Sequence, residues 1–271
     1  MQLGNASWGL RETPLEKQLA ITRKMGFELL ELSIAGYDRD FLQLNANEEH
    51  ILKVKQLFAK YGIKLDCACT GNDFTNNDVE KQIEKVKRVM DIASMLKVKY
   101  LRIFAGFNSD SVVYGKRFST AIDALKRVNQ YAKTKNIIIV VETHGGVIEN
   151  GNALVHFSSV TTRVDTWREI LTSGVSINYD PANLGAVGDA DPVAFYKLFE
   201  EHIKYIHLKD FCDVTGGVKP VACGEGRLDW KKLLSALKSY NGPALIEYEL
   251  PEDVEDGLSR SLKFMKQNGV K

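Results

Sequence analysis

Val140-Val141-Glu142-Thr143-His144-Gly145-Gly146 decides the reading of this chain. The apolar run Ile137 to Val141 leads straight into a carboxylate, then a histidine and two glycines. A buried strand ends on a charge only where that charge has a partner or a task. The same grammar recurs three times downstream. Ser176-Ile177-Asn178-Tyr179 ends on Asp180, Lys204-Tyr205-Ile206 on His207, and Ala244-Leu245-Ile246 on Glu247.

Outward from these four ends, apolar segments alternate with helical stripes. Gln2 to Trp8, Phe27 to Ile34, Lys64 to Thr70 and Tyr100 to Ala105 read as the first four strands. Thr13 and Pro14 open the first helix, Leu15, Leu19, Ile21 and Met25 form its stripe, and Gly26 ends it. Further helices are expected over 47–61, 77–96, 115–135, 165–172 (capped by Asp165), 191–201, 229–239 and 252–267. Long polar loops are expected at 144–164 and after Leu208, and loops of that length usually carry function. Strand and helix alternate eight times with no shift of composition. This predicts parallel strands with right-handed crossovers, an α/β fold of the (β/α)8 TIM barrel type forming one domain over 1–271. An open doubly wound sheet would gather its residues at one crevice, and no glycine-rich phosphate fingerprint follows the first strand.

The bulk properties exclude several classes. The net charge of +1 offers no field for nucleic acid or an anionic membrane. No stretch has the apolar length of a membrane span. The N-terminus has neither a basic nor an apolar leader region, which favours a cytoplasmic protein. The four cysteines, Cys67, Cys69, Cys212 and Cys223, read as reduced core or pocket thiols.

In a TIM barrel the C-terminal strand ends form the active face. Side chains alternate along a strand, so Glu142 shares its face with Val140, Asp180 with Asn178, His207 with Tyr205 and Lys209, and Glu247 with Leu245 and Glu249. Three carboxylates and one imidazole can therefore converge from four consecutive strands. That donor set suits one divalent ion, Mn²⁺, Mg²⁺, Co²⁺ or Zn²⁺. Without a cation the carboxylates would repel and their pKa values would rise.

The patterns Glu142-Thr143-His144, Asp180-Pro181-Ala182-Asn183, His207-Leu208-Lys209-Asp210 and Glu247-Tyr248-Glu249 resemble the xylose isomerase-like barrel superfamily. More narrowly, they resemble its sugar phosphate isomerase/epimerase group, which includes the ketose 3-epimerases. Gly224-Glu225-Gly226-Arg227-Leu228-Asp229-Trp230 and Gly26 to Leu32 are similar to that group as well. The resemblance implies a metal held by Glu142, Asp180, His207 and Glu247. It also implies that Glu142 and Glu247 serve as acid and base on opposite faces of a carbohydrate substrate. Asn183 stands where those epimerases carry a histidine, and His144 is the candidate to supply the lost contact. This departure keeps open a lyase or dehydratase acting on a keto-sugar, keto-inositol or 3-keto-glycoside.

Further candidates for substrate contact are Lys209, Arg227, Trp8 and Glu31. Lys209 could equally be an ion-pair partner, and Arg227 a solvated loop residue. Glu31 is charged inside an apolar strand and requires a partner, in the site or behind it. Trp8, Phe107, Phe211 and Trp230 are candidates for an aromatic wall. A three-zinc nucleic-acid enzyme on this barrel would need more histidines than the five present, and a basic excess. A non-catalytic barrel would not need the four-ligand set. Oligomeric state is left open, with a homo-oligomer permitted.

Overall fold

The structure, a computed structural model, describes residues 1–109 and 115–270. Nine parallel strands form one sheet: β1 (Gln2–Asn5), β2 (Leu29–Leu30), β3 (Leu32–Ser33), β4 (Cys67–Cys69), β5 (Tyr100–Ile103), β6 (Ile138–Glu142), β9 (Ser176–Tyr179), β10 (Ile203–Leu208) and β13 (Pro243–Ile246). Their order is β2-β1-β13-β10-β9-β6-β5-β4-β3. β2 and β3 are consecutive pieces of the second strand, interrupted at Glu31. The row therefore closes on itself, as eight chain segments make a (β/α)8 barrel. Glu31 N–H still donates to Asn5 C=O at 2.9 Å, so the backbone carries on through the gap.

Helices α1 (Leu15–Lys24), α2 (Glu48–Tyr61), α3 (Val79–Met95), α4 (Lys116–Thr134), α5 (Val164–Leu171), α6 (Pro181–Val187), α7 (Pro192–Phe199), α8 (Trp230–Ala236) and α9 (Val254–Gln267) lie between strands. Their stripes, such as Ile83, Val86 and Met90 of α3, are fully buried in the shell between helices and sheet. Start and stop chemistry is local. Asn47 accepts from His50 N–H at the head of α2, and Gly62 at φ +64° closes it in the left-handed conformation that glycine adopts without a steric penalty. Two expected caps are corrected. Pro14 rather than Thr13 occupies the cap position of α1, and Arg163 that of α5, with Asp165 in the first turn paired back to Arg163.

A small cluster of Ala6, Leu29, Cys67, Val140, Tyr205 and Leu245 fills the barrel interior, as the strand alternation requires. All four cysteines are free thiols.

The two segments expected as long loops are ordered hairpins. β7 (Gly146–Asn150) pairs antiparallel with β8 (Ala153–Phe157), and β11 (Asp210–Val214) with β12 (Gly217–Val221). Val218 bridges to Leu154, which joins the hairpins into a four-stranded sheet in the order β11-β12-β8-β7, separate from the barrel. Gly151 at φ +61° makes the two-residue turn between Asn150 and Ala153. The helix α6 was not anticipated either: Asp180 caps it and Pro181 opens its first turn, but Gly185 weakens a run of only seven residues. Among the described residues no helix is long and apolar enough to cross a membrane.

Candidate metal centre and substrate cavity

Each expected ligand is placed by its strand. Glu142 is the last residue of β6, Asp180 follows β9, His207 lies in β10, and Glu247 follows β13. One ligand atom from each lies within 4.8 Å of all the others, and all four residues are buried. Thr143 locks two of these strand ends together. Its hydroxyl accepts from Asp180 N–H at 2.7 Å and donates to Asp180 C=O at 3.1 Å.

The two oxygens of Asp180 do different things. Oδ1 caps α6, accepting from Ala182 and Asn183 N–H at 2.9 and 3.0 Å. Among the described residues Oδ2 is buried with no hydrogen-bond partner and stands 3.1 Å from the Lys209 ammonium. Burial pushes the Asp180 carboxyl up to about 7, with Lys209 opposing and the carboxylates of Glu142 and Glu247 reinforcing the rise.

His207 is oriented from behind. Its Nε2 edge faces Glu31 Oε1 at 3.4 Å, while Nδ1 stands 3.6 Å from both Glu142 and Glu247 and 3.4 Å from Asn178 Nδ2. The amide can only donate, so in the neutral ring Nδ1 carries the lone pair and Nε2 the proton. This is the arrangement of a metal-binding histidine fixed by a carboxylate. Burial would lower the imidazole pKa, but Glu247 and Glu142 outweigh it and raise it well above the usual range, so a bound cation has to displace a proton from Nδ1. Separations of 3.6 Å are too long for hydrogen bonds but suit ligands that share one ion at about 2.0–2.2 Å each. The open oxygen of Asp180, the tautomer of His207 and the hard oxygen donors together fit a divalent cation.

Glu31 is completely buried and lies behind this layer. It accepts from Tyr205 and Ser7 hydroxyls, both at 3.0 Å, and Arg102 stands 3.5 Å away. The same guanidinium reaches Glu142 Oε2 at 3.3 Å. Burial would raise the Glu142 carboxyl, but Arg102 and His207 outweigh it and hold the group well below the usual carboxylate range. Sequence reasoning missed Arg102. Its signal was a charge inside the apolar run Tyr100 to Ala105, the same sign that exposed Glu31.

Above the tetrad opens a cavity of about 530 Å³, within the range of small-molecule sites. Trp8, Glu142, His144, Lys209 and Glu247 are on its wall, joined by Tyr37, Phe104, Phe107 and residues of the β7–β8 hairpin. Trp8 and Tyr37 rings stand 5.1 Å apart, and Phe104 and Phe107 4.5 Å apart. His144 meets both phenylalanines edge-on. Its Nδ1 donates to the Gly145 carbonyl, which leaves Nε2 as the acceptor nitrogen.

Lys209 donates to Glu247 and Glu249 at 2.9 and 2.8 Å and stands 3.1 Å from Asp180 as an ion pair without a hydrogen bond. Both readings of this residue therefore meet: it lines the cavity and is ion-paired. Three expected contacts lie off the wall. Glu31 is behind His207. Asn183 is buried, donating to Glu142 Oε1 at 3.2 Å and to Thr143 C=O at 3.1 Å. Arg227 joins Asp213 at 2.6 Å and the Gly185 carbonyl, tying β11 to α6. Of the aromatic candidates, Trp8 and Phe107 line the cavity. Phe211 is buried against the hairpin sheet, and Trp230 donates from Nε1 to Asp210 at 2.6 Å. Asp210, also missed, accepts Gly224 and Gly226 N–H at 3.2 and 3.0 Å and so organises the Gly224–Trp230 stretch.

A family model described as xylose isomerase-like TIM barrel matches residues 19–268. The chain belongs to this family. A Haemophilus influenzae protein named as an L-ribulose-5-phosphate 3-epimerase is 25% identical over 246 residues, 86% of this chain and 82% of that protein. Three solved structures share the fold. AsbF of Bacillus anthracis, described as a probable 3-DHS dehydratase involved in petrobactin synthesis, has a TM-score of 0.76 at 16% identity, covering 98% of this chain and 99% of that one. The IolI protein, solved with a zinc atom, gives 0.73 at 19%, covering 100% and 97%. D-allulose 3-epimerase from Methylomonas sp. gives 0.72 at 16%, covering 98% and 97%. At these identities the likeness to the solved structures is one of fold.

Proposed function

We propose that this xylose isomerase-like barrel is a divalent-metal-dependent isomerase or epimerase of a small carbohydrate, working by proton transfer alpha to a carbonyl. The observation that carries the reading is the buried tetrad of Glu142, Asp180, His207 and Glu247, whose two glutamates line a sugar-sized cavity. The H. influenzae relative and the allulose epimerase, both 3-epimerases by name, support it.

When bound, a divalent ion supplies electrophilic stabilisation to negative charge developing on two adjacent substrate oxygens. The chain's own groups do the rest. Glu142 and Glu247 come from opposite sides of the tetrad, so one can take the proton alpha to the carbonyl while the other returns a proton to the enediolate. Arg102 and Asn183 hold the Glu142 carboxylate, and Lys209 holds that of Glu247. The aromatic pairs Trp8–Tyr37 and Phe104–Phe107 shield the reacting carbon from water.

A second reading, a lyase or dehydratase using the same tetrad, is favoured by one observation. His144 presents its acceptor nitrogen from a ring that lines the cavity, a third proton-transfer group beyond the two glutamates. The AsbF neighbour supports it. Product analysis by NMR in D₂O with Mn²⁺-loaded protein separates the two. Solvent deuterium at a retained stereocentre means epimerisation, and loss of water or an aglycone means elimination. Glu142→Gln and Glu247→Gln should each lower either activity by about a hundredfold or more. Full metal-dependent activity in both variants would refute the assignment.

A further inference from the structure

The charges on the cavity wall carry information about the substrate's far end. Among the described residues, two cationic ones, Arg102 and Lys209, line it against four carboxylates, Glu142, Glu149, Glu247 and Glu249. Neither cation is available to an anion. The buried Lys209 ammonium donates to Glu247 and Glu249 and is ion-paired with Asp180 as well. Arg102 is held between Glu31 and Glu142 and stacks on Phe104, 4.6 Å from the ring centre.

Backbone amides are the other usual phosphate grip. The Gly36–Tyr37 edge of the cavity offers such a pair, but Asp40 already fills it. Its Oδ2 accepts Gly36 N–H at 2.7 Å, Tyr37 N–H at 2.9 Å and the Ser33 hydroxyl at 2.6 Å. Residues 110–114, Asp-Ser-Val-Val-Tyr, add no cation by sequence. The far wall is apolar except for two hairpin residues, each facing a neighbour across the strand pair. Val147 pairs with His156, and Glu149 with Leu154. The His156 nitrogens are shielded from solvent and make no hydrogen bond among the described residues. A phosphate dianion there would meet Glu149 rather than a counter-charge.

We propose that the cavity takes an uncharged, unphosphorylated keto-sugar, free or glycosidic, whose far end lies against the hairpin face of Val147, Glu149, Leu154 and His156. The proposal rests on the carbohydrate reading above and narrows its substrate class.

Calorimetric titration of Mn²⁺-loaded and metal-free protein tests it without turnover. The probes are D-fructose, D-fructose 6-phosphate and phenyl β-D-glucopyranoside. The phosphate ester should bind no more tightly than fructose, and tenfold tighter binding of the ester would overturn the proposal. Glucoside binding tighter than fructose would assign the glycosidic form, and the reverse the free sugar. Glu149→Lys should improve the ester relative to fructose by about tenfold or more, the worth of one charge-assisted hydrogen bond. An unchanged ratio would refute the placement of the far end. Absence of deuterium exchange on any ketose, with this preference intact, would sink the epimerase reading and leave the substrate class standing.

Discussion

Replacing Glu31 by glutamine should weaken metal binding without touching a ligand. The carboxylate has two oxygens in two jobs. Oε1 takes the Tyr205 hydroxyl and faces His207 Nε2, and Oε2 takes the Ser7 hydroxyl beside Arg102. Glutamine keeps the shape and loses an acceptor. If its amide nitrogen faces His207, the imidazole proton is driven to Nδ1, the nitrogen that points at Glu142 and Glu247. If the nitrogen faces Arg102 instead, two donors meet inside the barrel with no water to relieve them. In the first case the ring loses the partner that fixes its tautomer, and in the second it keeps only a neutral acceptor in a strained network; loss of such an outer partner costs about 10- to 100-fold in metal affinity. That is about 1.4–2.7 kcal/mol. Competition against a chelator reads the dissociation constant, and circular dichroism checks the fold. A sugar-binding role for Glu31 would instead raise KM at saturating metal. A Glu31→Gln protein that is folded and binds Mn²⁺ within twofold of the parent would refute the reasoning.

Other outcomes follow from the same geometry. Proton and metal compete for Asp180 Oδ2, whose carboxyl burial pushes up to about 7, and for His207, which Glu247 and Glu142 push up against burial, so the apparent metal dissociation constant should rise at least about tenfold per pH unit below 7; equal affinity at pH 5.5 and 8 would contradict this. Burial, with Lys209 and His144 nearby, holds His156 down at about 3. The unfolded chain therefore binds the extra proton between about pH 6.5 and 3, and His156 subtracts stability as pH falls through that window. Thermal melts of His156→Phe should accordingly lose less between pH 7 and pH 5 than those of the parent, and parallel losses would count against it. In Gly226→Ala the new Cβ would clash with the Asp210 carboxylate and the Phe211 carbonyl. Denaturant titration should show a loss of about 1–3 kcal/mol; an unchanged midpoint would mean that the loop is not built around Asp210.

Much of the fold can be read from alternation alone, because eight apolar runs separated by amphipathic stripes leave few topologies. Strand ends were equally legible at Glu142, Asp180, His207 and Glu247, since a charge closing a buried run is rare enough to notice. The hairpins were harder. Gly146–Asn150 and Ala153–Phe157 are mostly polar or exposed and pack against each other rather than the barrel, so no core-facing period marks them. Asn150-Gly151 between the short apolar pieces was the available turn signal. Arg227 and Asn183 illustrate a different limit. Both stand in motif segments near the site, but partners distant in sequence (Gly185 and Asp213, Glu142 and Thr143) turn them away from the cavity wall. Asp210 was passed over because a carboxylate that organises a loop looks, in sequence, like one that faces solvent.

The layer of Glu31, Arg102, Tyr205 and His207 also sets a limit on how stable this barrel can be while it keeps its site. Other barrels fill that depth with branched aliphatic side chains. Here an ionised network occupies it, and the second strand breaks at Glu31 to accommodate it. Removing one member strands the others, whereas exchanging the whole layer for well-packed apolar residues of similar volume is often neutral or stabilising. A redesign selected only for melting temperature would therefore drift toward erasing the network, closing the gap between β2 and β3 and leaving a sturdier barrel with no means of orienting His207.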